Sequence, residues 1–468
     1  MPSNSIAIAE HSRTGHTFIR KSRSMTYLLP FRLTLPLLFL VLLPQSTAAG
    51  LIRDTELETG LQKLAAPLVK AAAFAPNSID FRIVIDSSYN AFVAGKMAVY
   101  LHSGLLLDAK SPEEILGVIA HELGHIKAGH VPRRDEVIRD ASSAGSLAAL
   151  AAIAMAAGGA SSDAIVGVAI GGTDRARRSM MQSFRYDEAV ADELGLEYLE
   201  KAGITSAGLE QMMRRLASQR SLPESHQSQY YQTHPNAAQR LAIFQDHTKQ
   251  TSHKTASIAE DKRRLMERLV NKLRAYSEPA KNIIQYNDAS TAASTKYSNA
   301  IAHYRRGDLE LAYELMEGLS QAMPNDPFYH EFRGDILLSM AKPDAASVAY
   351  EKALTLRPNS PQIQLNLGRS LVATNNKKNL PRAIEAMLAA KKKEPNWAFI
   401  NRQLAIAYGR AGHIAHANLS LAEEAILLGN GQRAARMAKR VLASEVLAND
   451  VRNRANDILF RFEKNPQK

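Results

Sequence analysis

Between residues 50 and 250 the hydrophobic positions change their spacing several times, which predicts a mixture of helices and strands. Four segments have a clear period: a helix over 57–72, a strand over 80–86, and the two strands of a hairpin over 90–94 and 97–101. In the first strand Phe81, Ile83 and Ile85 fall on one face. This part of the chain therefore predicts a small sheet with helices packed beside it.

A further helix is predicted to begin at residues 111–114, which read SPEE. Ser111 is a favoured N-cap, Pro fits the first turn, and Glu114 lies three residues on, where it completes a capping box. Apolar residues at helical spacing follow, so a buried face is expected on a helix that runs through His121 and His125.

From about residue 297 the pattern is helical and repetitive. Pro324, Pro358 and Pro395 recur at intervals of 34 and 37 residues, and small residues keep the same register at Ala312, Ala346, Ala383 and Ala417. The three extra residues fall within 375–379, which is predicted to be a turn between helices. Small residues where two helices cross, with a Pro after each second helix, are typical of tetratricopeptide pairs that stack into a solenoid.

Residues 1–49 have the pattern of a secretory signal peptide. Five basic residues and one acidic residue accompany an apolar run over 33–43, and small residues follow at 46–49. The run is shorter than the roughly 20 residues that span a bilayer. An uncleaved anchor is the alternative, and Met25 is a second candidate start of translation. Either case predicts export to the periplasm, with a peripheral position at the outer membrane as a further option.

The composition excludes several classes of protein. The chain has no Cys, so disulfide scaffolds, Cys-based zinc fingers and thiol nucleophiles are excluded. The net charge is +12, and removal of residues 1–49 would leave +8, which anionic envelope surfaces explain without nucleic acid. A nucleic-acid partner is not expected, because the basic run at 391–393 lacks interleaved aromatic residues.

Residues 141–172 are rich in Ala and Gly and are broken at 158–159 and 161–163. Each half has about a dozen residues, too few to span a bilayer as a helix. The segment predicts a hairpin of small-residue helices that forms buried core or covers the catalytic cleft. Peripheral contact with a membrane is the alternative.

The candidate chemistry lies at residues 121–125, which read HELGH and fit H-E-x-x-H. Residues four apart share one helix face, so both imidazoles can bind one metal ion while Glu122 takes a proton from water beside them. A catalytic zinc site needs a third protein ligand. His130 follows His125 by five residues, not by the six of metzincins, and is interpreted as a helix-end or surface histidine.

The better candidate for the third ligand is Glu188, in a helical pattern over 188–199. Asp192 lies four residues on and hence on the same face. One carboxylate can then bind the metal while the other accepts a hydrogen bond from a ligand imidazole. Glu193 and Glu197 are also carboxylates that could serve as the third ligand, but they are interpreted as part of a solvated helix face.

Together these motifs resemble the gluzincin metallopeptidase family that includes the CAAX prenyl proteases, HtpX and the OMA proteases. The resemblance extends over about residues 80–241 and rests on four segments in order: Asn90-Ala91-Phe92, HELGH, E-x-x-A-D at 188–192, and Thr233-His234-Pro235 followed by Arg240. It implies one Zn²⁺ per chain, with three ligands: His121, His125 and Glu188. It also implies an edge strand at 90–92 on which substrate lies by β-addition.

The resemblance implies roles for residues around the metal. His234 is expected in a loop near the ion, where it can fill the fourth position and hold the enzyme inactive, or stabilise the oxyanion of the reaction. A Tyr of the same segment could stabilise the oxyanion instead. The segment contains His226, Tyr230 and Tyr231. Arg240 is expected to pair with a carboxylate behind the ligands. Glu122 is expected to be the general base and then the general acid of hydrolysis.

The whole arrangement is similar to the periplasmic family members that assist assembly of outer-membrane β-barrels. The expected fold is α+β and mostly α, a zincin-like domain with a small sheet followed by an all-α tetratricopeptide solenoid. The expected divisions are a signal peptide at 1–49, a zinc metalloprotease domain at 50–250, a helical linker at 251–295 and the solenoid at 296–460.

This resemblance implies a zinc-dependent endopeptidase that degrades misfolded or stalled outer-membrane proteins and assists barrel assembly. Its expected partners are unfolded or stalled outer-membrane proteins and the β-barrel assembly machinery, docked by the solenoid. The alternative is a chaperone or adaptor with a latent zinc site, which acts mainly by binding.

Overall fold

The computed structural model describes residues 50–94, 97–130, 174–218, 234, 237–252, 255–283, 292–445 and 447–463. Several predictions fall outside the described residues: the signal peptide at 1–49, the Ala/Gly hairpin at 141–172, and those on His226, Tyr230, Tyr231, Thr233 and Pro235. Within these ranges, no helix combines the length and the apolar character that crossing a bilayer requires.

The N-terminal part combines one sheet with helices. Its elements are β1 (Gly50–Ile52), α1 (Thr55–Ala71), β2 (Asp80–Ile85), β3 (Ala91–Ala94), β4 (Ala98–His102), α2 (Ser103–Asp108), α3 (Pro112–Lys127), α4 (Asp174–Lys201), α5 (Ala207–Ser218), α6 (Ala237–Thr251) and α7 (Glu260–Ser277). The strand order is β1-β2-β4-β3, with β2 and β4 parallel and the other pairs antiparallel. The β3–β4 pair is the predicted hairpin, whereas β1 was not predicted.

Burial along β2 follows the predicted alternation only in part. Phe81 and Ile83 are buried in the core, whereas Ile85 is 60% exposed. Ile85 is the last residue of the strand and pairs with Gly50 at the start of β1. Val84 is buried instead, because the regular alternation ends where the strand leaves the core.

Helix α3 begins as predicted and lies at the centre of the core. The Ser111 hydroxyl accepts a hydrogen bond from the Glu114 amide at 3.4 Å, which is the predicted N-cap. The Glu114 carboxylate does not return the bond to Ser111. It accepts from the Lys110 amide at 3.2 Å and pairs with Arg215 at 2.8 Å. Every residue from Glu113 to His125 is buried.

Helix α7 falls within the segment predicted to be a helical linker, and it packs into the core of the N-terminal part. Met266, Leu269 and Leu273 are buried with the side chains of α1. Gly60 of α1 allows the close approach, since a Cβ there would lie 2.5 Å from a Leu269 methyl group. The next turn carries Ala275 into the first solenoid core. This helix therefore contributes to two hydrophobic cores.

The C-terminal part is a series of helices packed in consecutive pairs. After the short α8 (Pro279–Asn282) the helices are α9 (Ala293–Arg306), α10 (Leu309–Ala322), α11 (Pro327–Ser339), α12 (Pro343–Leu356), α13 (Pro361–Ala373), α14 (Leu380–Lys393), α15 (Ala398–Arg410), α16 (Ile414–Leu427), α17 (Gly431–Leu442) and α18 (Asn449–Glu463). The predicted turn at 375–379 contains a 3₁₀ turn at Lys377–Asn379. The four register alanines are buried, which confirms the predicted helix crossings.

Candidate metal centre

Helix α3 presents the two histidines of HELGH on its buried face. His121 is fully buried and His125 nearly so. Because they are four residues apart, they share one helix face. Their rings meet edge to face with centroids 4.7 Å apart, and the two Nε2 atoms are 3.1 Å apart. Glu122 is also buried, at 1% exposure, between these residues in sequence. The predicted constellation is thus assembled inside the domain rather than on a surface helix.

Helix α4 crosses α3 at glycine-lined contacts and brings in the third candidate ligand. A Cβ on Gly124 would lie 2.6 Å from the Ala191 carbonyl oxygen, and one on Gly195 would lie 3.1 Å from the His121 backbone nitrogen. This proximity places the Glu188 carboxylate 3.4 Å from His121 Nε2 and 3.3 Å from His125 Nε2. The close crossing of the two helices therefore positions the carboxylate.

His234 completes the group from a different part of the chain. Its Nδ1 atom is 3.3 Å from His121 Nε2 and 2.7 Å from a Glu188 oxygen. Its Nε2 atom is 3.9 Å from a Glu122 oxygen. The ring is only 4% exposed. One imidazole thus contacts both the candidate ligands and the candidate catalytic carboxylate.

Asp192 and Arg240 contact the candidate ligands on the side that faces away from the metal position. Asp192 lies 2.9 Å from His121 Nδ1, on the opposite side of the ring from the candidate metal position. Arg240 donates two hydrogen bonds of 2.7 Å to the Asp192 carboxylate and lies 3.2 Å from a Glu188 oxygen. The guanidinium thereby connects the two carboxylates of α4. Both predicted residues lie at the site.

The electrostatics of the candidate ligands favour a positive charge at the centre of the group. Burial alone would lower the pKa of His121, but contacts with Asp192 and Glu188 outweigh it and raise that pKa to about 9. For His125 burial dominates and lowers the pKa to about 3. Burial would raise the pKa of Glu188, yet His234 and both α3 imidazoles hold it well below its ordinary value. A pocket that attracts a proton to His121 between two carboxylates also attracts a cation.

The donor set fits a tetrahedral metal ion. In the described part of the chain, His121, His125, Glu188 and His234 form the group that could hold a metal, with donor atoms within 4.8 Å of one another. Tetrahedral ligands about 2.1 Å from a zinc ion lie about 3.4 Å apart. Four of the separations given above lie between 3.1 and 3.4 Å. Three imidazoles and one carboxylate are also a donor set that zinc accepts.

The predicted substrate strand lies at the edge of the sheet. Ala91 is fully buried, whereas Phe92 is 37% exposed and stacks on Tyr100 with ring centroids 5.0 Å apart. The backbone carbonyl of Asn90 accepts from the His102 amide at 3.0 Å, which continues the β3–β4 pairing. The other edge of β3 has no partner strand among the described residues. An extended peptide could pair there.

Two sequence interpretations concern residues beside the ligands. Glu193 and Glu197 are exposed, as predicted. His130 was interpreted as a helix-end or surface histidine. It does lie just past the end of α3, but it is not at the surface, because it is 3% exposed and its Nδ1 atom lies 2.8 Å from His125 Nδ1. The turn after α3 folds His130 back against the helix. The signal available in the sequence was its position five residues beyond His125, close to the end of the predicted helix.

Comparison with known proteins agrees with this geometry. Residues 52–247 match the model of peptidase family M48. This region is a metalloprotease domain of family M48. The chain is 25% identical over 342 residues to the β-barrel assembly-enhancing proteases of Yersinia pestis and Escherichia coli K12, which covers 69% of this chain and 67% and 66% of those proteins. The aligned part thus spans about two thirds of these relatives.

Further similarities cover single parts of the chain. The metalloprotease LoiP of Escherichia coli K12 is 29% identical over 172 residues, which is 36% of this chain and 62% of that protein. Among solved structures, MamA matches 37% of this chain and 94% of its own at 16% identity, with a TM-score of 0.29. YrrB, titled a TPR protein with an unusual peptide-binding site, matches 42% and 89% at 13% identity, with a TM-score of 0.28.

Proposed function

We propose that this chain is a zinc-dependent endopeptidase of the periplasm that degrades misfolded or stalled outer-membrane proteins and assists β-barrel assembly. The observation that carries the proposal is the buried meeting of His121, His125 and Glu188 beside the Glu122 carboxylate. This combination supplies three metal ligands and a proton acceptor, as metal-assisted peptide hydrolysis requires.

The side chains divide the work of hydrolysis. The metal, when bound, acts as a Lewis acid toward water and the scissile carbonyl. Glu122 accepts a proton from the attacking water and delivers it to the leaving amine. Asp192 fixes the orientation of the His121 ring through its Nδ1 atom, and Arg240 fixes Asp192. Burial around Glu122 limits competing solvent.

Substrate binding by β-addition is part of the proposal. The edge of β3 that has no partner strand in the described part of the chain offers backbone groups to an extended peptide, and Phe92 with Tyr100 forms an aromatic surface on one face of that edge. Backbone pairing is independent of side-chain identity. That suits a protease acting on many unfolded outer-membrane proteins.

The location and partners are proposed from the sequence pattern and the relatives. The basic and apolar pattern of residues 1–49 supports export to the periplasm. The relatives named β-barrel assembly-enhancing proteases support a role in barrel assembly. Solenoids offer extended binding surfaces, so the solenoid is proposed to dock stalled substrates or the assembly machinery.

Metal analysis and peptide hydrolysis test the proposal together. The purified chain without residues 1–49 should contain about one Zn²⁺ per molecule, and Glu188→Ala should lose most of it. Glu122→Gln should retain the metal and lose casein cleavage by at least about 100-fold, because the general base is gone. Full activity of Glu122→Gln, or a metal-free wild-type protein with activity, would refute the assignment.

A latent site that acts mainly by binding is the second candidate. The observation that favours it is His234, which contacts both His121 and Glu188 and completes a set of four donors. Sites with four protein ligands are usually structural, whereas catalytic sites keep one position open. Expression of wild type and Glu122→Gln in Escherichia coli lacking its own β-barrel assembly-enhancing protease separates the two. Full rescue of outer-membrane integrity by Glu122→Gln would favour the binding role.

A further inference from the structure

His130 and Asp187 form a chain of contacts behind the metal site that the proposed mechanism does not use. His130 Nδ1 lies 2.8 Å from His125 Nδ1, and His130 Nε2 lies 3.6 Å from an Asp187 oxygen. Both side chains are 3% exposed. The three residues therefore form a buried series that runs from the back of a metal ligand to a carboxylate.

We propose that His130 is a positioning residue that holds the His125 ring for metal binding, and that Asp187 in turn holds His130. This inference rests on the metal site of the proposed function. His125 turns its Nε2 atom toward His121 and Glu188 and its Nδ1 atom toward His130. His130 thus contacts the nitrogen that does not face the metal position.

The chemistry of two facing imidazoles fixes which one donates. A metal-bound imidazole uses the lone pair of one nitrogen and carries hydrogen on the other. His125 Nδ1 must therefore donate, and His130 Nδ1 must accept. The remaining hydrogen of His130 then lies on Nε2, the atom that faces Asp187. The reverse arrangement would place a hydrogen on His125 Nε2 and block the metal.

Helix α4 holds both ligand histidines by the same principle. It supplies Asp192 directly to His121 Nδ1 at 2.9 Å, and it supplies Asp187 to His125 through one intervening imidazole. It also supplies Glu188 to the metal position. One helix therefore provides a candidate metal ligand and also the carboxylates that orient the two candidate ligand histidines. Partners of this kind typically raise metal affinity 10- to 100-fold.

Two substitutions at His130 separate hydrogen bonding from packing. His130→Asn is smaller but places an amide oxygen where the imidazole Nδ1 lies, so it keeps the acceptor. His130→Phe fills the space but has no acceptor. If His130 positions the ligand, the Kd for Zn²⁺ should rise about 10- to 100-fold in His130→Phe and stay within about 3-fold of wild type in His130→Asn. A packing role predicts the opposite order.

The measurement is Zn²⁺ affinity by competition with a chromophoric chelator, on the chain without residues 1–49, beside the thermal midpoint of each metal-free protein. Asp187→Ala should weaken Zn²⁺ binding in the same direction. His102→Phe is the matched control, a 5% exposed histidine whose Nδ1 contacts Ser88, and it should leave Zn²⁺ affinity unchanged.

The order of Zn²⁺ affinity in His130→Phe and His130→Asn decides between a positioning role and a packing role. Wild-type affinity in His130→Phe, or equally weak binding in both variants, would overturn the inference. Weak binding in His130→Phe with retention in His130→Asn supports it even if none of the proteins cleaves casein, so the result does not depend on the proposed peptidase activity.

Discussion

His234 and Glu122 face each other at the candidate site, with 3.9 Å between an imidazole nitrogen and a carboxylate oxygen. The same imidazole lies 2.7 Å from Glu188, so it is held by the candidate ligands. The incoming water and substrate carbonyl need space beside Glu122. At the scale of single residues, we therefore propose that His234 controls whether the site is open to water and substrate.

We expect His234→Ala to increase basal casein hydrolysis several-fold, because it frees a position that catalytic zinc sites keep open. Zn²⁺ affinity should fall in the same variant, since one donor is lost. Initial cleavage rates at saturating Zn²⁺ measure the effect, with His413→Ala on the exposed solenoid surface as control. A 10²- to 10³-fold drop in kcat would instead identify His234 as an oxyanion donor.

At the scale of elements, the site depends on how closely α3 and α4 pack. The ligands come from two helices, and their separation is set by Gly124 and Gly195, where any side chain would press on the opposite backbone. At these two glycines the backbone of one helix lies directly against the backbone of the other. A shift of a few tenths of an ångström would therefore move Glu188 relative to both imidazoles.

Gly124→Ala should destabilise the fold by about 1–3 kcal/mol through overpacking and weaken Zn²⁺ binding. The added Cβ would lie 2.6 Å from the Ala191 carbonyl oxygen, which cannot move without shifting α4. Urea unfolding and Zn²⁺ titration measure the two effects. Gly318→Ala is the control: a Cβ in α10 has open space, so stability should rise by about 0.5–1 kcal/mol. Unchanged Zn²⁺ affinity in Gly124→Ala would contradict the argument.

The helix contacts of the solenoid predict a pH effect at Asp335. Burial raises the pKa of Asp335 in α11 to about 6, although the Tyr350 hydroxyl donates to it at 2.6 Å. The folded state thus retains a proton that the unfolded chain has lost. The resulting stabilisation is complete below about pH 4 and is lost as pH rises through 6.

Asp335→Asn should remove this dependence. The difference in free energy of unfolding, wild type minus Asp335→Asn, should fall between pH 4 and 7 by up to about 1.4 kcal/mol per pH unit and stay constant above. Urea unfolding at a series of pH values measures it. A difference that rises with pH, or is constant from pH 4, would show that Asp335 ionises normally in the folded protein.

At the scale of the whole molecule, a buried carboxylate connects the peptidase domain to the solenoid. Glu56 of α1 accepts hydrogen bonds from Lys272 and Arg268 of α7 and, at 2.7 Å, from the Tyr297 hydroxyl of α9. Arg268 also pairs with Asp326, just before α11. Burial would raise the pKa of Glu56, but these cations outweigh it and lower that pKa. The two parts therefore share one charged cluster.

Glu56→Ala should reduce the free energy of unfolding by about 3–5 kcal/mol, because it leaves buried cations with fewer anionic partners. Glu310→Ala, at an exposed position in α10, should change it by less than about 0.5 kcal/mol. Urea unfolding followed by circular dichroism compares the two. A loss below about 1 kcal/mol in Glu56→Ala would show that Asp54 and Asp326 suffice to hold Lys272 and Arg268.

Local periodicity predicted most helices and the β3–β4 hairpin because each was encoded within one segment. The start of α3 at Ser111 and the solenoid register at Ala346 and Ala383 are examples. β1 was missed because three residues carry too little period to distinguish a strand from a loop.

The sequence by itself determined the candidate ligand pair of α3, since residues four apart share a helix face in any fold. It also marked Glu188 through its helical pattern and His234 through family resemblance. Only the tertiary structure brought those residues within bonding distance, turned His130 inward and placed α7 in two cores. The physical reason is that helix geometry depends on near neighbours, whereas the distance from His121 to Glu188 depends on how two helices pack, which Gly124 and Gly195 set through contacts between separate parts of the chain.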